Sequence, residues 1–557
     1  MVVLKGQALS GERNFYSKDE TLKKILVDVL PADFLEYADR ELSSFGRLAA
    51  NEIDERARHT DREGGPKLEK YDRLGEDISH VWVNEGYKKT VSETYATGIV
   101  GYVHKEIPEI GRKGNYVYSF AQGYLLSQSE PGFYCPVTLT MATAYLLDHF
   151  ADEEVKARFL PHVCATEDVE LFEGATFLTE RQGGSDVGAN EVKAVESESG
   201  YHLYGEKYFA SNAGMAGVAM VLARIEGAPE GSRGLTLFAV PWRVDGKLNG
   251  IKIRRLKDKL GVRAVPSGEV EFDGAEAFVV GDPAQGLKYM MEALNLSRIC
   301  NGVASIGIMK RALDEAAEYA GRRTAFGRKL TDFPMVQDSL MKLRAKQEFE
   351  TAAIFDLITL YDRITSGEAS SEEQVLNRLL IAILKKESAE QAIHFSHEAI
   401  EMHGGNGYIE DFVTPRLLRN AQVLTVWEGT ANILGLELIR LVNKFSAHEV
   451  FGRHLMGRLN KLAATADVEV VRCKLKELQG ELTTFAGFEA DLQTFEAKIL
   501  MQKMAQLFEN VVALEWAEKH GGVYVPLAEI FTEMTWNTRE LGAEMKTVKY
   551  FGYVMGG

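Results

Sequence analysis

The stretch Phe177-Leu178-Thr179-Glu180-Arg181-Gln182-Gly183-Gly184-Ser185-Asp186-Val187 decides how this chain is read. A strand-like run ends in a threonine, a glycine pair follows, and Ser-Asp opens the next segment. Strand-end hydroxyls and the free N–H groups of a glycine turn suit a polar heterocycle and a phosphate. The same residues also fit an ordinary β-turn with an Asx cap. The surrounding pattern has to choose between the two.

That pattern changes period twice. Residues 1 to about 170 read mostly as helices, with Leu22, Ile25, Leu26 and Val29 at helical spacing and further apolar positions from Val137 to Leu147. The charged Thr60–Gly75 stretch and Pro131-Gly132 read as loops. From about residue 171 to 280 the runs Gly174–Thr179, Gly217–Ile225, Leu235–Val240, Ile251–Arg255 and Val270–Phe272 read as strands with turn glycines between them. After Gly281 long helical periods return in Leu287–Ala320, Pro334–Thr365, Ser371–His403 and Thr430–Phe445. Leu475, Leu478 and Leu482, then Leu500, Met504 and Leu507, keep that spacing through 446–557. The expected class is α+β, in four parts: an N-terminal helical domain 1–170, a central β domain 171–280, a helical bundle 281–445 and an additional helical domain 446–557.

Composition narrows the function. The 557 residues have the length of several domains, and 45% hydrophobic with 26% charged residues is ordinary globular chemistry. Sixty-four Lys and Arg against 81 Asp and Glu give a net charge of −17, which disfavours nonspecific nucleic-acid binding. Cys135, Cys164, Cys300 and Cys473 form no CxxC pair, so neither a disulfide framework nor a zinc ribbon is expected. Met1–Gln7 lacks a basic start followed by an apolar core, and no apolar run is long enough to span a membrane. The expectation is a soluble cytoplasmic protein.

Four further segments carry chemistry. Gly205-Glu206-Lys207-Tyr208-Phe209-Ala210-Ser211-Asn212 puts an aromatic two residues before a hydroxyl, which fits a ring wall and donor beside a flat cofactor, or a hairpin. Arg322-Arg323-Thr324-Ala325-Phe326-Gly327, with Gln337 beyond, fits a pyrophosphate fork and a stacking face, or a solvated helix end. Glu401-Met402-His403-Gly404-Gly405-Asn406-Gly407 is a helix running into glycines and equally a C-cap. Val426-Trp427-Glu428-Gly429-Thr430-Ala431-Asn432 sets a carboxylate among apolar neighbours just before a helix. Such a carboxylate has a raised pKa and suits a base acting on a weak carbon acid; it also fits a helix cap. His394, His397 and His403 have no metal-ligand spacing, and no Gly-x-Ser-x-Gly elbow, Walker loop or Rossmann fingerprint occurs.

In this order and block pattern the five segments resemble the acyl-CoA dehydrogenase family, over about residues 80–440. The family's Thr-Glu, glycine turn and Ser-Asp match Thr179 to Asp186, and its Lys–aromatic–Thr/Ser-Asn matches Lys207 to Asn212. Its Arg-x-x-Phe-Gly matches Arg323 to Gly327, its Gly-Gly-x-Gly matches Gly404 to Gly407, and its Glu-Gly-Thr matches Glu428 to Thr430. Gly132–Thr140, the Arg181-Gln182 pair in place of the usual Pro-Gly, Arg255–Gly261 with Val270–Phe272, and the helices after Phe445 are similar to the AidB-like subfamily. Its members are flavoproteins of the bacterial alkylation response.

The resemblance implies an N-terminal α-helical domain, a central β-barrel and a C-terminal four-helix bundle, plus the extra helical domain, assembled as a homotetramer or dimer of dimers. It implies FAD as cofactor. Thr179, Gly184, Ser185, Phe209 and Ser211 would meet the flavin ring and pyrophosphate; Arg323, Phe326, Gln337, Gly404 and Gly405 the adenosine and pyrophosphate side; Thr430 and Asn432 the region after the base. Glu428 would take the α-proton of an acyl-CoA while flavin N5 takes the β-hydride, giving a trans-2-enoyl thioester. An electron-transfer flavoprotein would receive the electrons. Arg298 would lie near the substrate, or else on the bundle surface. The alternative function is a DNA-associated flavoprotein with little dehydrogenase activity, using a stripe of Arg440, Arg453, Arg458 and Lys461. From Ser446 onward 12 Lys and Arg meet 15 Asp and Glu, which favours the enzyme.

Overall fold

The computed structural model describes residues 13–198, 200–537 and 539–556, so Met1–Gln7 lies outside the described residues. The chain forms two compact units. One runs through Arg181 and adds Asn190–Glu230 and Gly234–Gly286; the other comprises Gln182–Ala189, Gly231–Arg233 and everything from Leu287 onward.

In the first unit, helices Tyr116–Ser127 and Pro131–Phe150 form the centre of the N-terminal part, every residue of the former being buried. Pro131-Gly132 is not a loop but the first turn of the second helix. Proline has no N–H to lose at that position, and the Glu130 carboxylate caps the turn by accepting from Gly132 N at 3.1 Å. The charged Thr60–Gly75 stretch is likewise only partly loop. Lys67–Tyr71 pairs antiparallel with Asp77–Trp82, its alternation of exposed and half-buried residues marking a hairpin strand with one wet face. Helix and sheet meet where Thr140 Oγ1 accepts from Gly174 N at 2.9 Å.

The seven-stranded sheet of this unit closes on itself. Ser267–Val279 pairs with Gly200–Ser211, which pairs with Lys193–Ser197, which pairs with Val218–Ile225. Leu235–Pro241 then bonds both Val218–Ile225 and Ser267–Val279, so five strands make a ring with no free edge. Gly174–Phe177 and Ile251–Leu256 extend it. Two differences from the sequence reading have one cause. Ser267–Val279 is 13 residues long where only Val270–Phe272 reads as strand, and the 12-residue Gly200–Ser211 was not among the expected strands. Both carry Gly, Ser and Glu, and the second also Lys207, which pairing in a closed ring tolerates but which erase the period-2 signal.

In the second unit Pro334–Thr365 and Ser371–His403 keep the expected ends. Proline sits at the start of one, and Ser370 and Glu373 form a capping box on the other. The helices after Phe445 share this unit's core: Met341, Ala345 and Phe349 pack with Ala513, Tyr524, Leu527 and Phe531. Among the described residues no helix is long and apolar enough to cross a membrane.

One buried ion pair ties the first unit's motif segments together. Lys207 Nζ lies 2.7 Å from the Glu180 carboxylate, with side chains 0% and 4% exposed. Lys207→Met leaves that carboxylate buried and unpaired, and a loss of about 3–5 kcal/mol in urea unfolding is expected. Glu180→Gln combined with Lys207→Met should recover part of it.

Candidate functional site

Glu180 fixes the first group of candidate residues. Besides Lys207 it accepts from the backbone N–H groups of Glu191 at 2.6 Å and Val192 at 3.2 Å, while burial lowers the Lys207 ammonium to about 8. Thr179, one residue earlier, accepts from Tyr208 N at 2.9 Å through its carbonyl. The adjoining strand is therefore locked against the end of the motif, and the Thr179 hydroxyl sits on a fixed backbone. Phe209 and Ser211, two residues apart, share one strand face. Phe209 is 55% exposed, and the Lys257 ammonium stands 4.8 Å from its ring centre. Ser211 Oγ lies 3.4 Å from Ser267 Oγ. Arg181, of the Arg-Gln pair that replaces the usual Pro-Gly, is bound to Glu206 at 2.6 and 3.1 Å.

In the second unit the glycine turn continues as an exposed loop. Gly183 has φ 133°, a conformation that excludes side chains, and nothing lies where its Cβ would project. Ser185 lines a cavity of about 490 Å³ with Asp186, Ser232, Leu287 and Met291, and Gly184 is exposed beside it. Arg323 and Phe326 frame a short hairpin, Thr324–Ala325 with Arg328–Lys329. Phe326 and Gly327 have φ 51° and 81° at its tip, and the Phe326 ring is 96% exposed. Gln337 donates to Thr331 O at 2.8 Å. Tyr319, one turn before Arg323, stacks on His403 at 4.2 Å, and its hydroxyl accepts from Asn406 at 3.1 Å. Those contacts bring the Gly404-Gly405 corner to the Arg323 end of its helix, with open space at both glycines.

A second group forms around Glu428, in the turn between helices Thr414–Leu424 and Ala431–Phe445. Glu428 has φ 60° and Gly429 φ 104°, so the carboxylate is carried on left-handed backbone. For a non-glycine residue that costs about 1–2 kcal/mol. Two buried cations hold the turn. Arg298 donates through Nε to Glu428 O at 3.0 Å, and Lys385 donates to Gly429 O at 2.8 Å. Arg298 is 5% exposed and is thus not a bundle-surface arginine. Loss of solvent lowers Lys385 to about 7 and raises the Glu428 carboxyl, against which Arg298 and Lys385 pull downward. Thr430 is the helix N-cap and, like Asn432, is exposed next to the turn. Lys385 did not emerge from the sequence. Its signal is a lysine pair following the buried run Leu379–Leu384, where burial is otherwise apolar.

In the first unit the hydroxyls of Thr179 and Ser211 beside the exposed Phe209 ring offer polar and ring contacts. In the second unit the Ser185 hydroxyl, the Arg323 guanidinium, the exposed Phe326 ring and glycines with open space at 183, 404 and 405 offer anion, ring and close-approach contacts of the kind a nucleotide uses.

Comparison with known proteins matches three successive stretches of the chain to family models. Residues 284–442 match the family model described as acyl-CoA dehydrogenase, C-terminal domain, residues 175–275 its middle domain, and residues 7–168 the adaptive response protein AidB N-terminal domain. Acyl-CoA dehydrogenase family member 11 of Caenorhabditis elegans is 32% identical, the match covering 84% of this chain and 78% of that protein. The putative acyl-CoA dehydrogenase AidB of Escherichia coli K12 is 32% identical over 68% of this chain and 69% of its own. The structure of Caenorhabditis elegans ACDH-11 in complex with C11-CoA superposes with a TM-score of 0.88 at 27% identity, covering 98% of this chain and 94% of that one. With its helical N-terminal and C-terminal regions, its closed sheet and these matches, the chain belongs to the acyl-CoA dehydrogenase family of FAD-dependent oxidoreductases.

Proposed function

We propose that this protein is an FAD-dependent acyl-CoA dehydrogenase that converts an acyl thioester to its trans-2-enoyl product. The observation that carries this reading is the Glu428 carboxyl, raised by desolvation and presented on a turn anchored by two buried cations. An α-proton of a thioester is too weakly acidic for an ordinary surface carboxylate, and a base of raised pKa narrows that gap. Glu428 takes the α-proton as the Cα–Cβ double bond forms, and FAD, when bound, would supply the two-electron oxidant for the β-hydride. Thr179, Gly184, Ser185, Phe209 and Ser211 hold the flavin and pyrophosphate; Arg323, Phe326, Gln337, Gly404 and Gly405 hold the adenosine side; Thr430 and Asn432 bind beside the base. Arg298 positions the Glu428 turn and adds positive charge next to the substrate carbonyl. The C11-CoA complex of the nematode relative supports a CoA thioester as substrate. Electrons pass on to an electron-transfer flavoprotein, and the working form is a cytoplasmic homotetramer.

The DNA-associated alternative has less support. Arg440 is bound to Glu437 at 2.7 and 2.6 Å, Arg453 to Glu372 at 2.9 Å and Arg458 to Asp356 at 2.6 Å, so the arginines of that stripe already have carboxylate partners.

The purified protein is expected to be yellow, or to take up FAD on reconstitution, and to bleach anaerobically with at least one member of an acyl-CoA panel. Glu428→Gln should keep FAD and lose bleaching by roughly 10²–10⁴-fold. Retention of near wild-type bleaching would assign the base elsewhere.

Lys385→Met removes a cation that holds the Glu428 carboxyl down, so that carboxyl should rise further. A base acts when ionised; its contribution is present above its pKa and lost below it. The acid limb of the bleaching rate should therefore move to higher pH, by about one pH unit. Lys385→Arg should leave it near wild type.

Duplex DNA, followed by fluorescence anisotropy, should bind weakly and be released between about 50 and 150 mM salt. Tight binding that survives the higher salt and falls on Arg440→Glu would favour the DNA-associated role.

A further inference from the structure

Helices Pro334–Thr365, Ser371–His403, Ala490–His520 and Tyr524–Trp536 of the second unit surround a cavity of about 600 Å³. None of its lining residues belongs to the groups described above. Lys346, Glu387 and Glu509 form its floor, with Glu350 behind them. The Lys346 ammonium lies 2.6 Å from Glu509, 2.9 Å from Glu387 and 3.0 Å from Glu350. These side chains are 7%, 0%, 4% and 0% exposed for Lys346, Glu509, Glu387 and Glu350.

Three carboxyl groups share one ammonium in a region that solvates charge poorly. Burial raises the Glu350 carboxyl well above its ordinary value while Lys346 holds Glu387 down, so above about pH 7 the ionised Glu387 and Glu509 face a single ammonium. Glu509 Oε1 is buried without a hydrogen-bond partner, as are both Glu350 carboxylate oxygens. Burial, with the Glu387 carboxylate adding to it and Lys346 opposing, pushes the Glu509 carboxyl up to about 7. Of the cations at the rim, Lys342 is paired with Asp338 at 2.6 Å and Lys546 with Glu533 at 3.3 Å, while Arg539 donates to Ala543 O at 3.4 Å on the exposed side. Phe395, Phe531, Ile530 and Met534 supply apolar wall.

We propose that this cavity binds a small organic ammonium compound, its charged end on the unpartnered Glu509 oxygen and its hydrocarbon body against Phe395 and Phe531. A deficit of positive charge at the floor selects a cation over an anion. The apolar wall, and an ammonium already inside the cluster, select a monovalent organic cation over a bare divalent ion, which requires an oxygen cage. An ammonium over aromatic faces gains further attraction. The volume falls within the range of small-molecule sites. This inference is independent of the dehydrogenase reading.

Titration calorimetry of the full chain at pH 8 tests it with pentan-1-amine as probe and pentanoate as its anionic counterpart. Saturable binding of the amine, one per chain, and none of pentanoate is expected. Glu509→Gln keeps the shape and removes the charge, and should raise the Kd for the amine about tenfold or more. Met534→Trp fills the wall and leaves the cluster intact; it should abolish binding, and it carries the test alone if the Gln variant fails to fold. Absence of saturable amine binding at millimolar concentration overturns the proposal. So does equal binding of pentanoate, or an amine affinity unchanged in either variant.

Discussion

Two buried cations donate to two consecutive peptide carbonyls, and the Glu428 turn depends on that arrangement. Arg298 and Lys385 come from different long helices, and each has its charge desolvated in order to reach the turn. A buried cation is costly unless it is bonded and faces negative charge. The carbonyls of Glu428 and Gly429 supply the bonds, and the Glu428 carboxylate supplies the charge. Strained backbone, buried cations and desolvated carboxylate are each unfavourable alone. Together they offset one another, so the acid is raised without its geometry becoming loose.

The first unit solves a similar problem differently. There the Glu180–Lys207 pair is buried, while its sequence neighbours, Thr179 on one side and Phe209 with Ser211 on the other, are half-buried or exposed. The ion pair acts as a registration pin: a slip of one residue in either segment would bury one charge without the other. Both units thus spend buried charge on positioning backbone rather than on contacts with solvent.

What was legible in the sequence follows from how local each signal is. Pro334 and the Ser370–Glu373 box sit at helix ends and announce them, so two helices of more than 30 residues could be bounded without knowing their partners. The motif positions were readable because glycine, hydroxyl and carboxylate spacing is local too. The ring of strands was only partly readable, since pairing partners lie far apart in sequence and rescue residues such as Glu206, Lys207 and Glu269 that alternation would reject. Lys385 carried only a weak signal, a lysine pair after a buried run, because its partner is Gly429, 44 residues away. The Glu428 carboxylate was visible as a residue, but its left-handed backbone was not.

That backbone has an evolutionary consequence. Position 428 adopts a conformation in which glycine is at ease and glutamate is not. A glutamate codon becomes a glycine codon by one nucleotide change, and that change would relax the turn while deleting the carboxylate. Drift toward a chain without its acid is therefore a single step away, the relaxed turn set against two buried cations that would lose the carboxylate facing them. On the proposed function, a lineage that keeps glutamate here is held there by selection on chemistry, whereas one released from that demand is free to lose the acid and keep the rest of its surface.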